Sequence, residues 1–142
     1  MTAAKPRIIA YELPGGWTVW AGATDADNDY LSTQMAEPND WWFHVDHVPG
    51  SHVILRARAD AEPSRETLKQ AAAVAAYHSK ARNAGIVPVH CTRARHVRKP
   101  RAAKAGTVHV ERGSVLKVRP DISFATRVRS ATSSEAPPNG EV

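Results

Sequence analysis

Thirteen consecutive residues, Asp40-Trp-Trp-Phe-His-Val-Asp-His-Val-Pro-Gly-Ser-His52, hold three of the seven histidines and two of the four tryptophans in the chain. In an extended strand alternate residues share a face, so Trp42, His44 and Asp46 point one way and Trp41, Phe43 and Val45 the other. The second set reads as core and the first as a polar-aromatic surface. On a returning strand His52, Ile54 and Arg56 share a face. A register that sets His52 beside His44 then makes a shallow site of two imidazoles, a guanidinium and an indole. Arg pairs with phosphate oxygens and aromatic planes stack on unpaired bases, so this set suits nucleic-acid contact.

Other chemistry is less well served by the same residues. Imidazoles titrate near neutral pH, so an enzyme that processes RNA through His44 and His52 is an alternative. No activated nucleophile or paired carboxylate accompanies them, and the expectation is no catalysis. His44, His47, His52 and Asp46 carry zinc-compatible atoms. His44 and His47 nevertheless fall on opposite faces of a strand, with no Cys pair or helical His-x-x-x-His beside them, so neither a metal nor another cofactor is expected. Ser51 lies in Pro-Gly-Ser-His rather than in a Gly-x-Ser-x-Gly elbow, and Cys91 sits in a predicted strand as an inert thiol. Asp25, Asp27 and Asp29 lack the final Glu of a calcium loop.

The elements that must position these groups follow from the spacing of apolar residues. Arg7–Tyr11 and Trp17–Ala21, separated by Pro14-Gly15-Gly16, predict a hairpin. Asp25–Glu37 fits a short helix loosely. Trp41–Asp46 and His52–Arg56 predict two strands joined by a Pro-Gly turn. Ser64–Asn83 predicts a helix capped by Ser64 and ended by Gly85, about 28 Å long at 1.5 Å per residue. Val87–Cys91, Thr107–Glu111 and Ser114–Val118 alternate as strands, the last two with Arg112-Gly113 as a tight turn between them. The expected fold is α+β, mainly an antiparallel sheet packed against one long helix, with a short helix besides.

A chain of 142 residues, 42% apolar, is long enough for one domain with a dry core and short for two. The expected organisation is a flexible arm over 1–6, a domain over 7–122 and a disordered tail over 123–142, rich in Ser, Thr, Pro, Gly and Glu toward its end. One cysteine excludes an internal disulfide. The absence of an apolar leader or of a run of about eighteen apolar residues points to the cytoplasm, with no membrane partner. The net charge of +5 is unevenly spread: residues 1–81 carry 7 Lys/Arg against 10 Asp/Glu, and residues 82–129 carry 12 against 2. So one-sided a segment attracts polyanions, RNA or DNA above all. Arg95, Arg98, Lys99, Arg101 and Lys104 crowd a Pro-interrupted loop of that segment and are expected to meet phosphates.

The order Gly22…Asn28-Asp29-Tyr30-Leu31…Asp40-Trp-Trp-Phe-His44…Pro49-Gly-Ser-His-Val53, followed by Tyr77-His-Ser79…Arg82, a Val-Arg-Lys-Pro segment and Ala105-Gly106-Thr-Val108, resembles the NFACT-R domain. That is the predicted RNA-binding module of the NFACT proteins, ribosome-quality-control factors that engage stalled large subunits and tRNA. The resemblance runs from about Gly16 to Pro120. It implies RNA binding in translation, with tRNA or rRNA, and the large ribosomal subunit, as partners. Full-length members carry this module after an N-terminal domain, a helix-hairpin-helix and a coiled coil. A stand-alone form is therefore expected to bind without directing tail synthesis. A module that docks on a ribosomal protein, or on DNA, is the other alternative. Carried over by position, Asn28 and Asp29, Asp40, Trp42 and His44, and Gly50, Ser51 and His52 match motif residues; with Arg56 and the five cations, all but Gly50 make up the expected nucleic-acid site. Trp42 reads as core or as a stacking platform, and His44 and His52 as ligand-facing or buried. Asp40 alternatively caps backbone donors. Gly50 serves the turn.

Overall fold

The computed structural model describes residues 5–128. Residues 1–4 of the expected arm and 129–142 of the expected tail lie outside the described residues. Nine strands and two α-helices follow one another as β1 (Ile8–Leu13), β2 (Trp17–Gly22), α1 (Asp25–Tyr30), β3 (Trp41–Val45), β4 (Val53–Leu55), α2 (Arg65–Tyr77), β5 (Val87–Arg93), β6 (Val97–Arg98), β7 (His109–Val110), β8 (Ser114–Val118) and β9 (Thr126–Val128). A π-helical turn, Leu31–Met35, extends α1, and a 3-10 turn, Ala94–His96, joins β5 to β6.

Seven strands form one antiparallel sheet in the order β8-β5-β3-β4-β2-β1-β9, and β6 and β7 form a separate ribbon. Gly15 and Gly16, at φ +90 and +81, close the predicted β1–β2 hairpin in a left-handed conformation. On one face of the sheet Tyr11, Val19, Phe43, Val45, Val53, Leu55 and Val89 pack against the small residues Ala71, Ala72, Ala75 and Ala76 and Val74 of α2. The opposite face is covered too. Ile8, Trp42 and Ile54 are buried there with Leu31 and Val97, and Val108 and Val110 pack against them. Around Trp42 the polar-aromatic surface expected on that side of β3 is thus a second buried layer, roofed by the π turn and the β6–β7 ribbon, while His44 and Asp46 farther along the strand are half-buried. Alternation locates a side chain on a face but not what lies above that face.

The α+β class agrees with the architecture, but the long helix does not. α2 has 13 residues, about 20 Å, and stops well before Gly85. Ser64 caps its start by accepting from Thr67 N. Its end is set by the chain on the far side of β3: Ser79 bridges Gly50, the Ser51 amide donates to His78 O at 3.0 Å, and the Lys80 amide donates to Pro49 O at 3.0 Å. Backbone groups that would have continued the helix are spent on that loop.

Two further expectations are corrected. β7 and β8 do not form a hairpin: β7 pairs with β6, and β8 pairs with β5. Gly113, at φ +145, passes so close to β5 that an added Cβ would sit 2.4 Å from His90 Nε2, so the Arg-Gly pair is a crossing point between sheets. Residues 126–128, inside the expected tail, instead pair with β1 as β9, Tyr11 opposite Arg127.

Candidate functional site

The register Trp41↔Leu55, Trp42↔Ile54, Phe43↔Val53 brings His52 to the end of β4 beside His44, with ring centroids 5.3 Å apart. The juxtaposition expected from the sequence is therefore present. Its exposure is not. His52 is 2% exposed and Trp42 3%. Ser32 of the π turn joins them: its hydroxyl accepts from Trp42 Nε1 at 3.0 Å and lies 2.8 Å from His52 Nδ1. A hydroxyl that accepts the indole N–H has its own hydrogen free for a neutral imidazole, which satisfies all three buried groups. Burial pushes His52 down to about 4, with His44 adding to the effect, and burial lowers half-buried His44 as well. A neutral, covered imidazole such as that of His52 is a poor partner for phosphate. Trp42 is core and not a stacking platform.

The remaining motif residues hold the scaffold together. Asn28, buried in α1, accepts the His52 amide at 3.0 Å through Oδ1 and donates to Gly50 O at 3.4 Å through Nδ2. Asp40, 1% exposed, accepts the amides of Glu37 and Ala57 at 2.8 and 2.7 Å, so it does cap backbone donors. Arg56 is directed at Asp40, with Nε 3.1 Å from the carboxylate, while its guanidinium lies 4.5 Å over the Trp20 ring. Asp40 therefore offsets its charge. Ser51 Oγ donates to Gly22 O at 2.6 Å.

The basic loop divides into inward and outward cations. Lys99 turns in, pairing with Asp29 at 3.1 Å and donating to the carbonyls of Lys104 and Thr107. The same Asp29 carboxylate accepts the Gly106 amide at 3.1 Å, so Asp29 and Lys99 fix the loop's shape. Arg95 and Arg98 are exposed, the first donating to Asn39 and the second pairing with Glu111 at 3.3 Å. Arg101 and Lys104 are exposed and, among the described residues, unpaired. Arg95, Arg98 and Lys99 also rim a groove of about 420 Å³ against Thr33, Ala36 and Pro38. Charge rather than aromatic stacking is what this surface offers.

A cleft of about 500 Å³ lies on the other side of α1, lined by Asn28 and Ser51 of the expected site together with residues for which no binding role was expected. Three stretches distant in sequence meet there: Gly22–Asn28, Pro49–Ser51 and His78–Arg82. Glycine is needed at both contacts, since a Cβ on Gly22 would sit 2.2 Å from Asn28 Oδ1 and one on Gly50 2.7 Å from Ser79 Cβ. Lys80 and Arg82 supply positive charge on one wall. Arg82 lies 4.0 Å over the Tyr77 ring and donates to Tyr77 O at 2.7 Å. His78, 2.7 Å from the Tyr11 hydroxyl, is pushed down to about 4 by burial and then by Arg82 and Arg127. The signal that could have found this wall was the Tyr77-His-Ser79…Arg82 string, noted above without a role.

Comparison with known proteins gives these features a family context. The sequence model described as NFACT protein RNA binding domain matches residues 8–115. Proteins named Rqc2 homolog RqcH are 37% identical over 127 residues in Bacillus subtilis strain 168 and 37% identical over 117 residues in Streptococcus suis. These matches cover 89% and 82% of this chain but 22% and 20% of those proteins, so the chain spans about a fifth of the curated relatives it matches. Among solved structures, the C-terminal part of the fibronectin/fibrinogen-binding protein from Streptococcus suis superposes with a TM-score of 0.74 at 34% identity, covering 85% of this chain and 47% of that one.

Proposed function

Because this chain belongs to the family of NFACT RNA-binding domains, we propose that it binds structured RNA of the translation apparatus, tRNA or rRNA of the large ribosomal subunit, without chemistry of its own. The names of the relatives, Rqc2 homologs, favour a setting in ribosome quality control. The observation that carries the reading is the cationic surface around the braced loop: Lys99 and Asp29 fix the loop, Arg101 and Lys104 are exposed on it, and Arg95 of the 3-10 turn and Arg98 of β6, the latter paired with Glu111, are exposed beside it. Four cations on and beside a braced loop meet a phosphate backbone with little loss of conformational freedom.

An RNA-cleaving role for His44 and His52 is not favoured. An acid–base pair needs access to the scissile phosphate and a pKa near the working pH, whereas His52 is buried, bonded to Ser32 and neutral down to about 4. The test is binding of purified tRNA by the purified protein across a salt series. Four phosphate contacts give a slope of log affinity against log salt of about −3 to −4. A slope indistinguishable from zero would sink the electrostatic reading. tRNA cleavage that is lost in His44→Ala would replace it with an enzymatic one.

A further inference from the structure

The cleft between Pro49–Ser51 and His78–Arg82 is concave and electrically two-ended. Its floor is fixed by the Ser51–His78 and Lys80–Pro49 backbone bonds and by Ser51 Oγ on Gly22 O. Lys80 and Arg82 stand at one end. No carboxylate lies within ion-pair distance of either among the described residues. At the other end stand Thr24, which caps α1, and Asp25, both exposed; the Thr24 hydroxyl is engaged by Asp27 in the cap, which leaves the Asp25 carboxylate as the acceptor there. A bare phosphate would find its cations here but would also meet Asp25. A ligand that joins an anion to hydroxyl donors satisfies both ends, and a nucleotide is such a ligand. At about 500 Å³ the cleft falls in the size range of small-molecule sites and is too small for a duplex. Few apolar side chains line it, chiefly Ile9 and Pro49, which disfavours a lipid tail or an apolar peptide anchor.

The cleft is also continuous with the basic loop. Gly106, at φ +85, lies against Asp25 so closely that a Cβ on it would be 2.9 Å from Asp25 Cγ. The loop that ends at Gly106 thus runs up to the lip of the cleft, with α1 between its Asp29 anchor and the Thr24–Asp25 end. A polynucleotide whose phosphates follow Arg101 and Lys104 is led toward it.

We propose that this cleft is a second subsite, which takes one unpaired ribonucleotide of an RNA strand, its phosphate against Lys80 and Arg82 and its ribose hydroxyls toward the Asp25 carboxylate. The inference rests on the reading of the protein as an RNA binder and adds to it a preference for unpaired RNA. His78, held neutral and hydrogen-bonded to Tyr11, forms part of the wall without adding to the charge.

The experiment compares anisotropy titrations of the full chain with a labelled single-stranded RNA of about ten nucleotides, the DNA strand of the same sequence, and the blunt RNA duplex. Lys80→Glu and Arg82→Ala are each expected to weaken single-stranded RNA binding about tenfold, the worth of a charge-assisted contact. Duplex binding should change less than about twofold, because the basic loop is untouched. Adenosine monophosphate should displace the single strand from the wild type and not from Lys80→Glu. Thermal melting checks that both variants fold, and Lys80 is the safer of the two, because Arg82, equally exposed, also packs on the Tyr77 ring and donates to Tyr77 O. Equal losses for strand and duplex, or none for the strand, overturn the subsite and leave the basic-loop reading standing. Equal binding of RNA and DNA strands overturns the ribose contact. A wild type that binds no RNA overturns both readings together.

Discussion

The Ser32 hydroxyl is the one polar group that lets an indole and an imidazole share a dry layer, since it meets Trp42 Nε1 and His52 Nδ1 at once. Trp42→Ala should therefore cost about 3–5 kcal/mol of folding stability, the usual range for emptying a large aromatic site. A variant that melts like the wild type but binds RNA less well would return Trp42 to the role of a stacking platform. A second expectation concerns pH. The histidines of an unfolded chain take up protons near 6.5, whereas His52 in the fold does so only near 4, because burial and then His44 oppose the charge. As pH falls from 6.5 toward 4, the unfolded state binds a proton that the folded state refuses, and stability drops by up to about 1.4 kcal/mol per pH unit. His78 acts in the same direction. Above 6.5 neither contributes any pH dependence. Urea unfolding from pH 7.5 to 4.5 measures the slope, which should become shallower in His52→Gln; an unchanged slope would assign the effect to other groups. The neighbourhood of His44 and His52 was legible from strand alternation and register. The burial of His52 and Trp42 was not, because Leu31, Ser32 and Val97, which pack with them, come from segments whose sequence carries no strong periodic signal.

Elements here are ended and joined by contacts remote in sequence. α2 begins where Ser64 predicts, because an N-cap is a local bond; it ends where Gly50 and Ser79 meet, and nothing near Tyr77 announces a partner 27 residues upstream. Likewise Arg112-Gly113 has the chemistry of a hairpin turn, and only the approach to His90 makes it a crossover. The basic loop follows the same logic, since its shape depends on Asp29 of α1. In Lys99→Ala the Asp29 carboxylate loses its counter-charge and the carbonyls of Lys104 and Thr107 lose their donor. Amide exchange at Gly106 is expected to rise about tenfold. The RNA affinity should fall further than in Arg101→Ala, because an ordered surface is lost along with a charge. If exchange stays unchanged and the two variants weaken binding equally, Lys99 is one phosphate contact among several and not a brace.

At the scale of the molecule, the excess of 12 Lys/Arg over 2 Asp/Glu in residues 82–129 was legible in the sequence, and it is the part of the site that needed no tertiary knowledge. Its distribution was not legible: Arg93 is committed to the Trp41 ring at 3.8 Å and to Glu62 at 3.1 Å. Replacing Arg101 and Lys104 together with Ala should lower the magnitude of the salt slope by about 1.5 and weaken binding to all RNA sequences alike. A slope unchanged by the double replacement would move the phosphate path elsewhere. The order of the sheet has a different consequence. Both of its outer strands, β8 and β9, come from residues 114–128, so the interior strands β5 and β1 remain open-sided until the last stretch of the domain is in hand. A fragment cut at residue 115, where the family match stops, would shift the two open margins of the sheet from the short β8 and β9 to the longer β5 and β1. It is expected to self-associate through them, sedimenting as oligomers under conditions in which a fragment ending after Val128 remains monomeric.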